Sequence, residues 1–147
     1  MKVVVGSDHA GYALKKEIVP VIEEMGHEVI DVGNDSGDSV DYADYGIPAA
    51  EMVAEGKADR AVVICGTGIG MSISANKVKG IRCALVHDLF TAKATREHND
   101  TNVLAMGERV VGPGIAREIV KTWLATDFEG GRHERRVEKI MTYESRA

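Results

Sequence analysis

The sequence is poor in aromatic residues, cysteine and proline, and it has no long hydrophobic run. Aromatic residues make up 5% of the 147 residues, and there are two cysteines and three prolines. Small secreted scaffolds are much richer in cysteine, so Cys65 and Cys83 are expected to be free thiols. The apolar run Val3-Val4-Val5 is too short for a signal peptide or a membrane span. We therefore expect a cytoplasmic protein.

The chain also has fewer basic than acidic residues. The chain has 18 lysines and arginines against 23 aspartates and glutamates, which gives a net charge of −5. Such a chain repels nucleic acids and anionic membranes, so neither is an expected partner. A phosphorylated small molecule would need a local cluster of basic side chains. The length suits one domain that buries a core without disulfides or metals.

Short β-branched runs alternate with amphipathic segments along the chain. The predicted strands span residues 2–6, 27–33, 61–65, 81–87 and 103–106. The predicted helices span residues 11–25, 44–55, 89–98, 112–126 and 131–147, with a loop and a helix over 66–76. Nearly continuous apolar strands indicate a parallel sheet covered on both faces. We therefore expect a single doubly wound, Rossmann-like α/β domain over residues 1–147, with five strands and a C-terminal helical tail.

Ligands of doubly wound sheets bind beyond the carboxyl ends of the strands, and this rule selects the candidate residues. The positions that follow predicted strands or border the same edge are Asp8, His9, Tyr42, Cys65 to Gly70, His87, Asp88, His98, Asn99 and Arg109.

The segment Cys65-Gly66-Thr67-Gly68-Ile69-Gly70 places a thiol at a strand end, just before a helix. Glycines allow a ligand to approach the backbone, and N–H groups at a helix start attract negative charge. Thiols in such positions ionise more readily, which makes Cys65 a candidate nucleophile or base. From these residues alone, two other interpretations stay open: a loop that binds a phosphate or nothing, and a cysteine that only packs in the core.

Several known motifs are excluded by spacing. A nucleotide P-loop ends in Gly-Lys-Ser/Thr, whereas Gly70 is followed by Met71. Met71 also stands where a Cys-x5-Arg phosphatase would have arginine. His133-Glu134 begins like a zinc-protease helix, but the second histidine position is Val137, so no metal site is predicted. A thiol beside an anion cradle suits removal of a proton next to a carbonyl, where charge develops on oxygen.

Motifs spread over nearly the whole chain occur in the order found in one enzyme family. They are Gly6 to Gly11, Asp41-Tyr42, Ile64 to Gly70, Ala75 to Lys77, Arg96 to Leu104, Gly107 to Gly112 and Glu129 to His133. On these motifs the sequence resembles the ribose-5-phosphate isomerase B family. The resemblance implies interconversion of ribose 5-phosphate and ribulose 5-phosphate through an enediolate, without metal or other cofactor.

The resemblance also assigns roles to residues. Cys65 would move a proton between C2 and C1 of the sugar, Thr67 would assist the hydroxyl proton transfer, and His98 would open the furanose ring. The loop formed by Gly66, Gly68, Ile69 and Gly70 would hold the enediolate oxygens. Asp8 and Asn99 would hold sugar hydroxyls, and Tyr42 would line the pocket. The phosphate would be bound by His9, Arg109, Arg132 and Arg136.

The resemblance further implies a homodimer, although the sequence leaves a tetramer open. The tail over residues 128–147 would contact the partner subunit, so that Arg132 and Arg136 act across the interface. One departure is visible, because the family often has proline after Asp-Tyr and this chain has Ala43. That difference leaves the position of the Tyr42 loop undefined.

Two alternatives to the pentose substrate stay open at this point. Related isomerases act on six-carbon sugar phosphates such as allose 6-phosphate or galactose 6-phosphate. A third hypothesis is a non-catalytic sensor of phosphorylated sugars on the same scaffold.

Overall fold

Five parallel strands form the centre of the structure, a computed structural model that describes residues 1–146. The strands are β1 (Lys2–Ser7), β2 (Glu28–Asp31), β3 (Arg60–Cys65), β4 (Cys83–Leu85) and β5 (Val103–Gly107). Their order in the sheet is β2-β1-β3-β5-β4, and every neighbouring pair is parallel. The prediction of a five-stranded parallel sheet is confirmed.

Six α-helices within residues 1–146 cover and flank the sheet. They are α1 (Tyr12–Glu24), α2 (Ala43–Ala54), α3 (Ile69–Asn76), α4 (Leu89–Asn99), α5 (Pro113–Ala125) and α6 (Arg132–Glu144). A short 3-10 turn over His9–Gly11 precedes α1. The predicted C-terminal helix is therefore present as α6, while its predicted last residue, Ala147, lies outside the described residues. Within residues 1–146, no helix is long and apolar enough to cross a membrane.

Alternate residues of the inner strands face opposite sides of the sheet, as the period of two in a strand requires. Val62 and Ile64 of β3 join the core beneath α1, α4 and α5. Val63 and Cys65 join the core beneath α2 and α3. The side chain of Cys65 therefore belongs to the α2–α3 face, at the last residue of its strand.

The order of the strands creates one crevice at the carboxyl edge of the sheet. From β1 the chain passes through α1 to β2 on one side, then returns through α2 to β3 on the other side of β1. Connections that leave in opposite directions open a gap between β1 and β3, where ligands of such sheets bind. Asp8 directly follows β1, and Cys65 is the last residue of β3, so both lie at this crevice.

Strand β4 is shorter than the predicted strand over residues 81–87. The side-chain amide of Asn102 accepts a hydrogen bond from the N–H of Arg82 (2.8 Å) and donates one to the carbonyl of Gly80 (2.9 Å). The side chain of Asn76 likewise pairs with both backbone groups of Cys83 at 2.8 and 3.0 Å. Asn102 directly precedes β5 and bonds on the β5 side of β4, whereas Asn76 pairs with Cys83 at the outer edge of the sheet, in the place of a further strand.

Pro48 lies inside α2, which begins one residue earlier than predicted. Pro20 similarly lies inside α1. A proline in a helix costs about 3 kcal/mol, since it removes a hydrogen bond. Both prolines are exposed, and α1 offsets the cost by burying Ile18 and Ile22 completely.

Gly11 makes the contact that fixes the distance between the 3-10 turn and β3. The carbonyl of Ile64 accepts the N–H of Asp8 at 3.3 Å, and a Cβ on Gly11 would collide with the same carbonyl. We predict that Gly11→Ala lowers the free energy of unfolding by about 1–3 kcal/mol, because backbone must move to relieve the overlap. Urea denaturation measures the change.

Gly114→Ala is the matched control for that substitution. Gly114 lies in α5, and a Cβ there would meet no atom within 4 Å. Alanine at such a helical position should leave the free energy of unfolding unchanged or raise it by about 0.4–1 kcal/mol. Equal stability of the Gly11→Ala and wild-type proteins would contradict the proposed constraint.

Candidate active site

A cleft of about 220 Å³ lies at the carboxyl ends of β1, β3 and β5. Its lining residues are Asp8, His9, Ala10, Tyr42, Cys65, Gly66, Thr67, Gly70 and Arg109. We call this space the thiol cleft. Pockets that enclose small ligands usually measure about 300–1,000 Å³, so the thiol cleft is small and open for a complete site.

The sulfur of Cys65 is held by the loop that follows it. Its Sγ accepts a hydrogen bond from the N–H of Gly68 at 3.1 Å, and the residue is 4% exposed. Gly68 has a φ of 78°, a value that favours glycine, and a Cβ there would approach Leu85 Cδ1 to 2.6 Å. The hydrogen bond from Gly68 holds the sulfur near the start of α3, where helix N–H groups favour negative charge.

Two other glycines make room for side chains of the thiol cleft. A Cβ on Gly70 would lie 2.5 Å from the ring of Tyr42, so glycine is what allows that ring to cover the start of α3. A Cβ on Gly66 would lie 3.2 Å from the guanidinium of Arg109, which extends across the loop. The ring and the guanidinium therefore form two walls around the thiol, and Ala43 does not prevent Tyr42 from reaching the cleft.

The end of β1 contributes Asp8 and His9. One carboxylate oxygen of Asp8 accepts the N–H groups of Ala10 (2.9 Å) and Gly11 (3.1 Å), which fixes the carboxylate at the edge of the cleft. The N–H of Val40 donates to Nδ1 of His9 at 3.2 Å. Neutral His9 therefore carries its proton on Nε2 and is a hydrogen-bond donor there.

A second cleft, of about 270 Å³, lies between α4 and α6. Its lining residues are His98, Asn99, His133, Arg136, Val137 and Ile140. We call this space the histidine cleft. The rings of His98 and His133 stack with centroids 4.4 Å apart. The pKa of His133 is lowered, chiefly because burial penalises the charged ring and further because His98 and Arg132 add positive charge nearby.

The C-terminal end of α4 is held by a network of two arginines. Asp100 adopts a left-handed conformation with φ of 47°, which is uncommon for a residue with a side chain. Arg96 donates to the Asp100 carboxylate at 2.8 Å and to the carbonyl of Thr101 at 2.7 Å. Arg82 donates to the Asp100 carbonyl at 2.7 Å. This network fixes the last turn of α4, which carries His98 and Asn99.

The structure divides the predicted site residues between the two clefts. Asp8, His9, Tyr42, Cys65, Gly66, Thr67, Gly70 and Arg109 line the thiol cleft. His98, Asn99 and Arg136 line the histidine cleft, and none of the described residues lines both. Only Arg132 and Arg136 are predicted from the sequence to come from a partner subunit, whereas the structure groups His98 and Asn99 with Arg136.

Three predicted residues line neither cleft. Gly68 is buried, and its N–H points at the sulfur, a positioning role that the sequence did not reveal. The side chain of Ile69 is 52% exposed, and its N–H donates to Thr67 Oγ1 at 3.3 Å. Arg132 is exposed at the first residue of α6.

The other candidates from the sequence have structural roles. Nε2 of His87 accepts the N–H of Gly107 at 2.8 Å, and Asp88 caps α4 through the N–H of Thr91 at 2.7 Å. Burial raises the pKa of Cys83 to about 12, so this thiol stays protonated at neutral pH. Cys65 is the cysteine that lines the thiol cleft.

Sequence reasoning missed Glu129 and His133 as neighbours of His98. Oε1 of Glu129 lies 3.7 Å from Nε2 of His98 and 3.5 Å from Nε2 of His133. The three side chains form a group that could hold a metal ion. The zinc-protease pattern pairs His133 with position 137 of the same helix, whereas the second histidine of this group comes from α4. The four-residue spacing of Glu129 and His133 was the signal available.

Comparison with known proteins gives the family. A model of the family described as Ribose/Galactose Isomerase matches residues 3–140. The chain belongs to this family. Ribose-5-phosphate isomerase B of Escherichia coli strain K12 is 49% identical over 145 residues, which cover 99% of this chain and 97% of that protein. The chain is thus a sugar-phosphate isomerase of the aldose–ketose type.

Solved structures of the family share the same fold. Ribose-5-phosphate isomerase B of Clostridium thermocellum superimposes with a TM-score of 0.97 at 53% identity, and the match covers 99% of both chains. The Mycoplasma genitalium enzyme, solved with bound ribulose-5-phosphate, gives a TM-score of 0.96 at 38% identity over 99% of this chain and 97% of that one.

Proposed function

We propose that this family member is a cytoplasmic enzyme that interconverts D-ribose 5-phosphate and D-ribulose 5-phosphate through an enediolate, with Cys65 as the base. The observation that carries the proposal is the position of the Cys65 sulfur, which lines the thiol cleft and accepts the Gly68 N–H at 3.1 Å. The pentose substrate is supported by the Escherichia coli and Clostridium relatives and by the ribulose-5-phosphate in the Mycoplasma enzyme.

The reaction needs one proton to move between adjacent carbons. The Cys65 thiolate removes the proton from C2 of the open-chain aldose, and the C–H electron pair forms the C1–C2 double bond while charge moves to the oxygen on C1. The thiol then returns the proton to C1, as the oxygen on C2 becomes the carbonyl. Thr67 transfers the hydroxyl proton from the oxygen on C2 to that on C1.

Backbone N–H groups of the loop from Gly66 to Gly70 stabilise the enediolate oxygens. Each such donor contributes about 2.7–4 kcal/mol to the stability of an oxyanion in comparable enzymes. Asp8 is fixed at the edge of the cleft and accepts a sugar hydroxyl. His9 donates from Nε2, and together with Arg109 it supplies donors for the phosphate.

A complete site requires two chains in this proposal. The histidine cleft of a partner subunit covers the thiol cleft and adds His98 to open the ring, Asn99 to hold a hydroxyl, and Arg132 and Arg136 to bind the phosphate. The small volume of the thiol cleft and the separation of the two clefts support this arrangement.

Exposed apolar side chains also support association of two chains. Ile69 (52% exposed) and Ile73 (58%) are four residues apart on one face of α3, beside the thiol cleft. Phe90 at the start of α4 is 79% exposed, and Tyr143 of α6 is 75% exposed. Adjacent exposed apolar side chains such as Ile69 and Ile73 are typical of a contact with another protein, whereas single ones are common on monomers. A homodimer in which the tail over residues 128–147 contacts the partner would bury Ile69 and Ile73.

We predict that Cys65→Ala lowers kcat for ribose 5-phosphate by about 100-fold or more, because general acid–base groups contribute about 10²–10⁴-fold. Substrate affinity should be nearly unchanged, because the thiol lowers the free energy of the transition state rather than that of the bound substrate. A coupled assay measures kcat, and calorimetry measures binding.

Cys83→Ala is the control and should retain kcat. Normal turnover by Cys65→Ala would refute the base assignment.

Mixing two inactive variants tests the shared site. Subunits carrying Cys65→Ala and subunits carrying His98→Asn are unfolded together and refolded at equal concentration. Half of the dimers are then mixed, and each has one intact site, so about a quarter of the wild-type activity should return. The physical reason is that the intact thiol cleft of one chain meets the intact histidine cleft of the other.

The control mixture contains Cys65→Ala and Thr67→Ala subunits. Both substitutions affect the thiol cleft, so no combination restores an intact site and no activity should return. Failure of the Cys65→Ala and His98→Asn mixture to regain activity would show that each chain works alone.

A further inference from the structure

Three side chains with metal-binding groups converge beside the histidine cleft. His98 comes from α4, Glu129 from the loop before α6, and His133 from the first turn of α6. Their ligand atoms all lie within 4.8 Å of one another, and the two separations from Glu129 Oε1 are 3.5 and 3.7 Å. A tetrahedral zinc ion with bonds of about 2.0–2.2 Å holds its ligand atoms roughly 3.3 Å apart. The carboxylate oxygen is therefore already near the required distance from each imidazole.

The backbone holds this cluster together independently of any ion. The N–H of Glu129 donates to the carbonyl of Glu97 at 3.1 Å, which ties the loop to α4. Nε of Arg96 donates to the carbonyl of Thr126 at 3.1 Å and anchors the start of the same loop. The side chain of His133 is 11% exposed. These bonds fix the loop that carries Glu129 relative to α4, the helix that carries His98.

The ring of His98 must turn before all three side chains can bind one ion. The rings of His98 and His133 are stacked with an angle of 16° between their planes, and parallel rings cannot both direct an in-plane lone pair at one ion. The side chain of His98 is 46% exposed, so it can rotate about its Cβ–Cγ bond while His133 stays in place. Binding therefore exchanges the ring stacking for coordination.

We propose that His98, Glu129 and His133 bind one divalent transition-metal ion of the zinc type, and that the bound ion inhibits the isomerase. Two imidazoles and one carboxylate suit Zn²⁺, Co²⁺ or Ni²⁺ and do not suit Mg²⁺, which prefers oxygen ligands. The ion occupies the nitrogen of His98 and so removes this residue from ring opening. The inhibitory part of the proposal rests on the proposed function of His98, whereas the binding part does not.

The basic side chains of α6 set the strength of binding. Arg132 and Arg136 act on His133 as neighbouring positive charges, and they repel a cation. The cluster also offers three protein ligands, whereas a structural zinc site is closed by four. We therefore expect reversible binding that a chelator removes.

Calorimetric titration of Zn²⁺ into the full-length, metal-free protein tests the binding. We expect one ion per chain, and Glu129→Gln and His133→Asn should each weaken it by about 10-fold or more, as loss of a supporting group does at other metal sites. His27→Asn, outside the cluster, should bind as the wild type does. Glu129 is exposed, so Glu129→Gln remains informative if His133→Asn fails to fold. No binding, or equal affinity of both cluster variants and the wild type, would overturn the proposal.

Cys65 must be excluded as the zinc ligand, because thiolates bind zinc strongly. Cys65→Ser should bind zinc with wild-type affinity, and Co²⁺ bound to the wild-type protein should show no thiolate-to-metal charge-transfer band. Loss of binding in Cys65→Ser would place the ion in the thiol cleft and overturn the proposal.

Activity is then measured over the same zinc concentrations. Isomerisation of ribose 5-phosphate should fall with the midpoint found by calorimetry, recover on addition of a chelator, and be less sensitive in Glu129→Gln. Binding at the cluster without inhibition would overturn the inhibitory part and the ring-opening role of His98. Absence of isomerisation before zinc is added would instead refute the proposed function and leave the binding result intact.

Discussion

Close packing of glycine backbone at the carboxyl ends of β3 and β5 is the constraint on which the site depends. Gly11 lies against the Ile64 carbonyl, and Gly107 lies against the backbone of Thr67, at distances that leave no space for a Cβ. Gly107 thus allows the loop after Cys65 to lie directly on the end of β5, and within this loop the Gly68 N–H reaches the sulfur. Side chains at these positions would separate the strand ends and widen the thiol cleft.

The fold and much of the thiol cleft could be predicted from the sequence because their signals are local. Runs such as Val3-Val4-Val5 have the apolar continuity of a buried parallel strand, and the glycines around Cys65 mark the turn into α3. The rule that ligands bind at the carboxyl edge then selects Asp8 and Cys65 together. Strand ends were less predictable, since the side chains of Asn76 and Asn102 replace ladder bonds around β4.

The histidine cleft could not be predicted in the same way, because it depends on contacts distant in sequence. His98 and His133 are 35 residues apart and meet because Arg96 fixes the loop at Thr126 and because Glu129 bonds to α4. No periodicity encodes that meeting. The strand order was equally hidden, since β5 lies between β3 and β4 rather than beyond β4.

A crystal structure of Cys65→Ser with bound ribose 5-phosphate tests most directly whether residue 65 acts on the sugar. The account predicts that the substituted side-chain oxygen lies within about 3.5 Å of C1 or C2, the distance of a reactive arrangement. It also predicts that a histidine from the partner's α4 lies beside the ring oxygen. A sugar bound elsewhere, or another side chain standing between residue 65 and both carbons, would contradict the account.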